Sequence, residues 1–207
     1  MFSLFFPFFT KTKVEASINK PLERYFFNAN RGISRKKIDS IIGAYGTNVL
    51  IGTDPGEKDT PSDVAKPQLD YLKSKKIPTH IYLVGPGMMS WSEQERNQIK
   101  RYAKSIGINT SKNDWHKQWI SIGWKKKVFQ QFEYYYKNYN AYSCEIDNLD
   151  SAIANNPIKT IEYFKQLKTE LRAANVPTKL MLKNLDIEQL KAVSNNISDL
   201  GLDFLCE

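Results

Sequence analysis

The stretch Ala141-Tyr142-Ser143-Cys144-Glu145-Ile146-Asp147-Asn148-Leu149 decides the fold that this sequence predicts. Its first half has the composition of a buried strand, and this strand carries two carboxylates to its end. Side chains alternate along a strand, so Glu145 and Asp147 are expected on one face and Ile146 on the other. Buried acids cost free energy unless they are paired, hydrogen-bonded or used in chemistry. The end of this strand is therefore where a functional site is expected.

Short β-type runs alternate with amphipathic helical patterns on both sides of this strand. The predicted strands are Arg24–Ala29, Asn48–Thr53, Thr79–Val84, Trp119–Ile122, Ala141–Ile146, Thr178–Leu182 and Leu202–Cys206, and the predicted helices lie near 33–45, 64–76, 92–105, 124–138, 157–174 and 187–198. Such alternation predicts an α/β fold with a parallel sheet and helices outside. The run Val84-Gly85-Pro86-Gly87 lacks the spacing of a phosphate-binding loop and is predicted to be a turn. A (β/α)8-type TIM barrel is thus favoured over a doubly wound sheet, with the active site at the carboxyl ends of its strands.

Length and composition predict one globular domain. The chain has 207 residues, of which 41% are hydrophobic and 13% aromatic, which argues against disorder. Residues 1–20 are expected to be an N-terminal apolar segment or the remnant of a secretion signal, and residues 21–207 form the predicted barrel domain. The apolar run Met1–Phe9 is too short to span a bilayer. The expected location is secreted or extracellular, with a cytoplasmic location left open.

The positive charge is the other global feature of the chain, at +8. Its lysine and arginine clusters fall in predicted outer helices, where a solvated face explains them, although they could also attract an anionic polymer. No motif of basic residues interleaved with aromatics indicates a nucleic-acid partner, so that alternative rests on charge alone. With two histidines and no clustered Cys and His, no metal site is predicted.

Three predicted strand ends, taken in order, carry a family resemblance. They are the run from Glu145 through Asp147 and Asn148 to Asp150, the run Met181–Asn184, and the run Leu202–Glu207, preceded by the Trp-containing run Trp119–Trp124. In this order they resemble glycoside hydrolase family 114, the endo-α-1,4-polygalactosaminidase-like TIM barrels. The resemblance implies an endo-acting hydrolase of a polysaccharide that needs no metal or organic cofactor.

The resemblance also implies roles for individual residues. Glycosidases of this kind use two carboxyl groups, one as acid and one as nucleophile or base, and these roles fall on Asp147 and Glu207. The residues expected at the substrate are Glu145, Asn148, Asp150, Lys183, Asn184, Trp119 and Asp54. Among them, Asp54 follows a predicted strand within a Pro-Gly turn, and Trp119 belongs to a set of tryptophans that could stack on a sugar. Which carboxyl is the acid is left open, as are the sugar and linkage.

The end of the chain departs from the family pattern. Glu207 is the last residue, and the strand that normally follows it in the family is missing, so the predicted barrel is incomplete at its C-terminus. A non-catalytic barrel that binds a glycan or a protein is the alternative function. Because galactosaminan is cationic when deacetylated and the chain is basic, neutral and anionic glycans, including cell-wall polymers, also stay open as substrates.

Overall fold

A six-stranded parallel sheet is the centre of the fold. The computed structural model describes residues 24–26, 32–47, 49–55, 61–86, 93–149, 157–183 and 204–206. The strands are β1 (Arg24–Phe26), β2 (Val49–Thr53), β3 (Thr79–Val84), β4 (Ala141–Asp147), β5 (Lys179–Lys183) and β6 (Phe204–Cys206). The helices are α1 (Arg35–Tyr45), α2 (Ala65–Ser74), α3 (Glu93–Ser105), α4 (Trp115–Gln118), α5 (Trp124–Tyr139) and α6 (Pro157–Ala173), and a π-helical turn, Trp119–Gly123, joins α4 to α5. The α/β class with a parallel sheet is confirmed.

The strands pair in chain order from β1 to β6, and every pair is parallel. A doubly wound sheet reverses its strand order at a switch point, whereas a (β/α) barrel keeps the order of the chain. The observed order is therefore consistent with part of a barrel. Among the described strands no pairing joins β6 to β1, so the (β/α)8-type TIM barrel, incomplete at its C-terminus, stays a prediction.

The helices cover one face of this sheet. Helix α5 packs on β3 and β4 and against its neighbours α2 and α6, and the apolar side chains between these layers form one continuous core. Its sheet side includes Ile81, Leu83, Cys144 and Ile146. No helix in the described part of the chain is long and apolar enough to cross a membrane.

The register between β3 and β4 shifts at the start of the two strands. Thr79 lies beside Ala141, but the next residue, His80, lies beside Ser143, so Tyr142 has no partner on β3. From there the pairing runs evenly to the last pair, Val84 with Asp147. Because side chains alternate with a period of two, a shift of one residue exchanges the two faces of a strand relative to its neighbour.

The prediction of a strand at Trp119–Ile122 is wrong, since these residues are helical. The run is rich in aromatic and β-branched residues, which favour strands, but it continues the buried stripe of a helix. The fully buried members of that stripe include Trp119, Trp124, Val128, Phe132 and Tyr135. The step from Trp119 to Trp124 is five residues instead of three or four, and the π turn absorbs the extra residue by bonding the Trp124 N–H to the Trp119 carbonyl.

The absence of a side chain at Gly123 allows this packing. A Cβ built at Gly123 would lie 2.6 Å from Cε3 of Trp119 and 2.9 Å from Cδ1 of Ile108. Both neighbours are buried in the core. The Trp119 ring therefore occupies the space that a side chain at position 123 would need.

Gly123→Ala is expected to destabilise the fold by about 1–3 kcal/mol, because overpacking a filled core forces side chains off their rotamers. Urea unfolding followed by circular dichroism measures the change. Gly43→Ala is the matched control, since a Cβ at Gly43 in α1 meets nothing within 4 Å. The control should be neutral or raise the free energy of unfolding by about 0.5–1 kcal/mol through helix propensity. Equal effects of the two substitutions would contradict the packing described at Gly123.

Candidate functional site

Polar side chains line the face of β3 and β4 that points away from the helices. We call this set the polar face: His80 and Tyr82 on β3, and Ser143, Glu145 and Asp147 on β4. All five are buried, and the register from His80 onward places them on one side of the sheet. The predicted alternation of Glu145 and Asp147 against Ile146 is thus realised, with Ile146 in the apolar core.

Asp147 is the last residue of β4 and only 6% exposed. One carboxylate oxygen, Oδ2, accepts a hydrogen bond from the Tyr82 hydroxyl. The other, Oδ1, accepts one from the backbone N–H of Asn148 at 2.7 Å. Asn148 has a φ of 57°, a left-handed conformation that Asn tolerates better than most residues. Both oxygens of the carboxylate are therefore held by donors of the fold itself.

Gly85 brings the end of β3 against the end of β4. Its N–H donates to the carbonyl of Asp147 at 2.9 Å, and a Cβ at this position would lie 2.5 Å from the same carbonyl oxygen. Only glycine permits so close an approach of the two backbones. The sequence prediction of a plain turn at Val84-Gly85-Pro86-Gly87 therefore missed a second task of Gly85, which is to fix the backbone of Asp147.

Glu145 lies two residues deeper along β4 and is 3% exposed. Its Oε2 is 3.5 Å from Nε2 of His80, and Nδ1 of the same imidazole is 2.7 Å from Oγ of Ser143. Burial lowers the pKa of His80, although Glu145 acts in the opposite direction. The three side chains form a buried polar chain beneath Asp147.

The pKa of Tyr82 responds to three carboxylates of this region. Burial, and then the hydrogen bond to Asp147, raise the pKa of Tyr82, and the negative charges of Asp54 and Glu145 add to this rise. Asp54 directly follows β2 and is half-buried, so it lies at the same carboxyl edge of the sheet as Asp147. A contact of Asp54 with substrate stays a prediction.

Trp119, predicted to contact the substrate, is not part of this site. Its ring is fully buried in the core that the helices form, where it meets Tyr102 edge to face with the ring centroids 6.1 Å apart. A ring enclosed in this way has no face on which a sugar could stack. The cause is the mistaken strand, which would have placed Trp119 at a strand end.

The remaining predicted residues are only partly described. Lys183 is the last residue of β5, and in register it follows Leu182, which pairs with Ile146. Its backbone is thus at the same edge as Asp147. Asp150, Asn184 and Glu207 lie outside the described residues. Among the described residues no group of three or more His, Cys, Asp or Glu side chains is arranged to hold a metal ion.

Sequence reasoning missed three members of the polar face: His80, Tyr82 and Ser143. A signal was present, because His80 and Tyr82 alternate with Ile81 and Leu83 in an otherwise apolar run. This is the period of a strand with one polar face. The pattern identifies the face, but the partner of each side chain depends on which strand is its neighbour.

Comparison with known proteins gives no family assignment. No protein-family model matches the chain, and no curated protein does so. Among solved structures, the chain is similar to a cycloalternan-degrading enzyme from Trueperella pyogenes in complex with a covalent intermediate, at 10% identity and a TM-score of 0.49 over 78% of this chain and 30% of that chain. The same enzyme in complex with cycloalternan gives 11% identity and a TM-score of 0.47, with the same coverage.

The chain thus spans about 30% of the length of the enzyme it matches. At TM-scores below 0.5 this likeness establishes neither a shared fold nor a shared activity. The resemblance to glycoside hydrolase family 114 stays a prediction, and the barrel-type strand order rests on the pairing of the strands alone.

Tyr82→Phe is expected to lower the free energy of unfolding at pH 7 by about 1–3 kcal/mol, because it leaves a buried carboxylate oxygen without its donor. The unfolded tyrosine ionises near pH 10, whereas the folded one holds its proton to higher pH. The stabilisation from Tyr82 is therefore fully present below pH 10 and is lost progressively as the pH rises from 10 toward the folded pKa. Urea unfolding at pH 7 and at pH 10.5 should show a smaller difference between the two proteins at the higher pH. A constant difference would show that the Tyr82 proton is not coupled to folding.

Proposed function

We propose that the chain is a glycoside hydrolase that cleaves internal bonds of a polysaccharide, with Asp147 as one of two carboxyl groups. The observation that carries the proposal is the way Asp147 is held, at the carboxyl edge of a barrel-type parallel sheet. Active sites of (β/α) barrels lie at this edge. A carboxylate kept in one orientation there is what attack on an anomeric carbon requires.

The two hydrogen bonds to Asp147 favour one of the two carboxyl roles. An ionised carboxylate only accepts hydrogen bonds, and Tyr82 Oη–H and Asn148 N–H are both donors. Neither partner needs Asp147 to carry a proton. Asp147 therefore suits the nucleophile or base, and the second carboxyl would protonate the leaving oxygen.

We propose Glu207 as this second carboxyl, following the family resemblance. Residue 206 ends β6, two strands away from β4 in the parallel sheet. Strands are spaced about 4.8 Å apart, so the backbones of β4 and β6 are separated by about 10 Å. Two carboxyl side chains that reach toward each other across this gap can attain the roughly 5–9.5 Å separation of glycosidase pairs.

The finer parts of the proposal extend the same resemblance. They comprise a (β/α)8-type TIM barrel that is incomplete at its C-terminus, a secreted location, and substrate contacts from Lys183, Asn184, Asp150 and Asn148. The substrate would be a galactosaminan-like or cell-wall glycan. Asp54, Glu145 and Asp147 make the surroundings of Tyr82 acidic within a chain of net charge +8. This local excess of acids would let a basic protein accept a neutral or cationic sugar.

Asp147→Asn should abolish the release of reducing ends, by a factor on the order of 10³ or more, because the amide cannot act as nucleophile or base. Its carbonyl can still accept from Tyr82, so the fold should persist, as circular dichroism and unfolding in urea would verify. The assay uses the full chain on neutral, acidic and amino-sugar polymers. Asp70→Asn is the control, since Asp70 is an exposed residue of α2 paired with Lys66.

Two results of this assay would contradict the proposal. One is wild-type activity in Asp147→Asn. The other is the absence of reducing-end release by the native chain from every class of polymer, which would leave the non-catalytic glycan- or protein-binding barrel. Binding of the same polymers without cleavage, measured by calorimetry, would support that alternative directly.

Glu207→Gln tests the second carboxyl independently. If Glu207 is the acid, its amide should lower kcat by about 10²–10⁴-fold, and the loss should be smaller for substrates with a good leaving group such as a nitrophenol, which needs no protonation. The measurement is kcat on polymer and on aryl glycoside in parallel. An unchanged kcat on both would move the acid role to another residue.

A further inference from the structure

A cleft opens between helical segments, on the side of the sheet opposite the polar face. Its volume is about 780 Å³, which lies within the range of about 300–1,000 Å³ that small-molecule sites have. It is bounded by the two isoleucines that follow α3, by the beginning of α5 and by the end of α6. The apolar side chains that line it are Ile106, Ile108, Phe129, Ala173 and Ala174. The cleft is thus separate from the carboxylates of β4.

The walls of this cleft suit an alkyl chain better than a sugar. A sugar carries hydroxyl groups around its ring, and each buried hydroxyl needs a hydrogen-bond partner. The side chains of Ile106, Ile108 and Phe129 offer none, whereas an alkyl chain gains free energy when its surface leaves water. Ala173 is exposed and Ala174 is half-buried, so the short side chains at the end of α6 leave room for such a chain.

The polar part of the lining has a positive net charge, since it holds Lys125 and Lys126 but only one acid, Glu170. The Nζ of Lys125 donates to Oε1 of Glu170 at 2.9 Å and to Oε1 of Gln166 at 3.1 Å. An ammonium group has three N–H donors, so Lys125 can give one more hydrogen bond to a ligand. Its side chain is only 15% exposed, and a charge with little access to water interacts more strongly with an opposite charge.

We propose that this cleft binds a fatty acid, with the alkyl chain against the apolar walls and the carboxylate at Lys125 and Lys126. The positive charge of the lining favours an anionic head group over a cationic one, and a carboxylate can accept the third N–H of Lys125 in a charge-assisted hydrogen bond. Because the polar face lies on the other side of the sheet, this site does not depend on the proposed glycosidase activity.

Calorimetry on the full chain at pH 7.5 tests the ligand class, with all ligands below the concentration at which they form micelles. Decanoate should bind saturably, and about ten-fold or more tighter than decyltrimethylammonium, which has the same alkyl chain and the opposite charge. From octanoate to dodecanoate, Kd should fall by up to about four-fold for each added CH₂ group. Equal affinities for the two head groups, or no saturable binding of decanoate, would overturn the inference.

Lys125→Met tests the contact with the carboxylate. It should raise the Kd of decanoate by about ten-fold, because it removes a hydrogen bond between charged groups and leaves Glu170 near the head group. Lys137→Met is the matched control, since Lys137 belongs to the same helix, is paired with Glu133 and does not line the cleft. An equal loss of affinity in the control would mean that decanoate responds only to the net charge of the chain, which contradicts the proposed site.

Ala173→Phe tests the position of the alkyl chain, because its ring should fill part of the cleft and raise the Kd of decanoate by about ten-fold or more. Ala44→Phe, at an exposed alanine of α1, is the control and should bind decanoate as the native chain does. In methyl NMR of the native chain, decanoate should shift the signals of Ile106 and Ile108 but not that of Ile51, which lies in a separate core cluster. Unchanged affinity in Ale173→Phe would place the ligand elsewhere.

Sedimentation of the same variants covers another occupant of the cleft, a second copy of this chain. If the native chain forms a dimer that Ala173→Phe abolishes, and decanoate does not bind, the cleft is an interface between copies and the inference is wrong. Failure of the proposed function is distinguishable, because a chain that cleaves no glycan would still bind decanoate, and Asp147→Asn should leave the Kd of decanoate unchanged.

Discussion

The one-residue register shift between β3 and β4 is the constraint on which the site depends. At the beginning of the strands, the N–H of Thr79 bonds the carbonyl of Asn140, and the Asn140 side chain donates to the carbonyl of Ile77. These contacts fix Thr79 beside Ala141. Further along, however, Ile81 and Leu83 must face the helices together with Cys144 and Ile146. This requires the pairing of the two strands to be shifted by one residue. Because Tyr142 is left unpaired on β3, both the first pair and the later pairs can form. Without this shift, both carboxylates of β4 would point into the apolar core.

The sequence contained most of the information on the sheet and the carboxylates. Strand–helix alternation predicted the parallel sheet, and the period of two placed Glu145 and Asp147 on one face. Local pattern was insufficient at Trp119–Ile122, where a strand-like composition lies within a helix. In a straight α-helix two residues five positions apart do not lie on the same face, so the spacing of Trp119 and Trp124 does not indicate a buried helical stripe. Only the structure shows that both rings pack in the core.

The wrongly predicted strand also hid which residues contact the carboxylates of Glu145 and Asp147. A strand at Trp119–Ile122 would have stood between β3 and β4 in a barrel that keeps chain order, so His80 and Tyr82 would have been two strands from Glu145 and Asp147. In the fold, one long helical excursion connects β3 to β4, and the two strands pair directly. The alternating polar residues of β3 could be recognised in the sequence. Their partners could be assigned only once β4 was known to pair with β3.

Glu145 and Asp147 are buried at a cost that must be offset within the fold, because a carboxylate with little access to water loses most of its solvation. Tyr82 and Asn148 supply donors to one acid and His80 faces the other, while Gly85 lets the two strand ends approach closely enough for this to happen. All of these groups except Asn148 and Gly85 belong to strands, and those two directly follow strand ends. Their geometry is thus set by the pairing of the sheet before any ligand arrives. A carboxylate oriented in advance in this way loses little entropy when it reacts, which is what the role proposed for Asp147 requires.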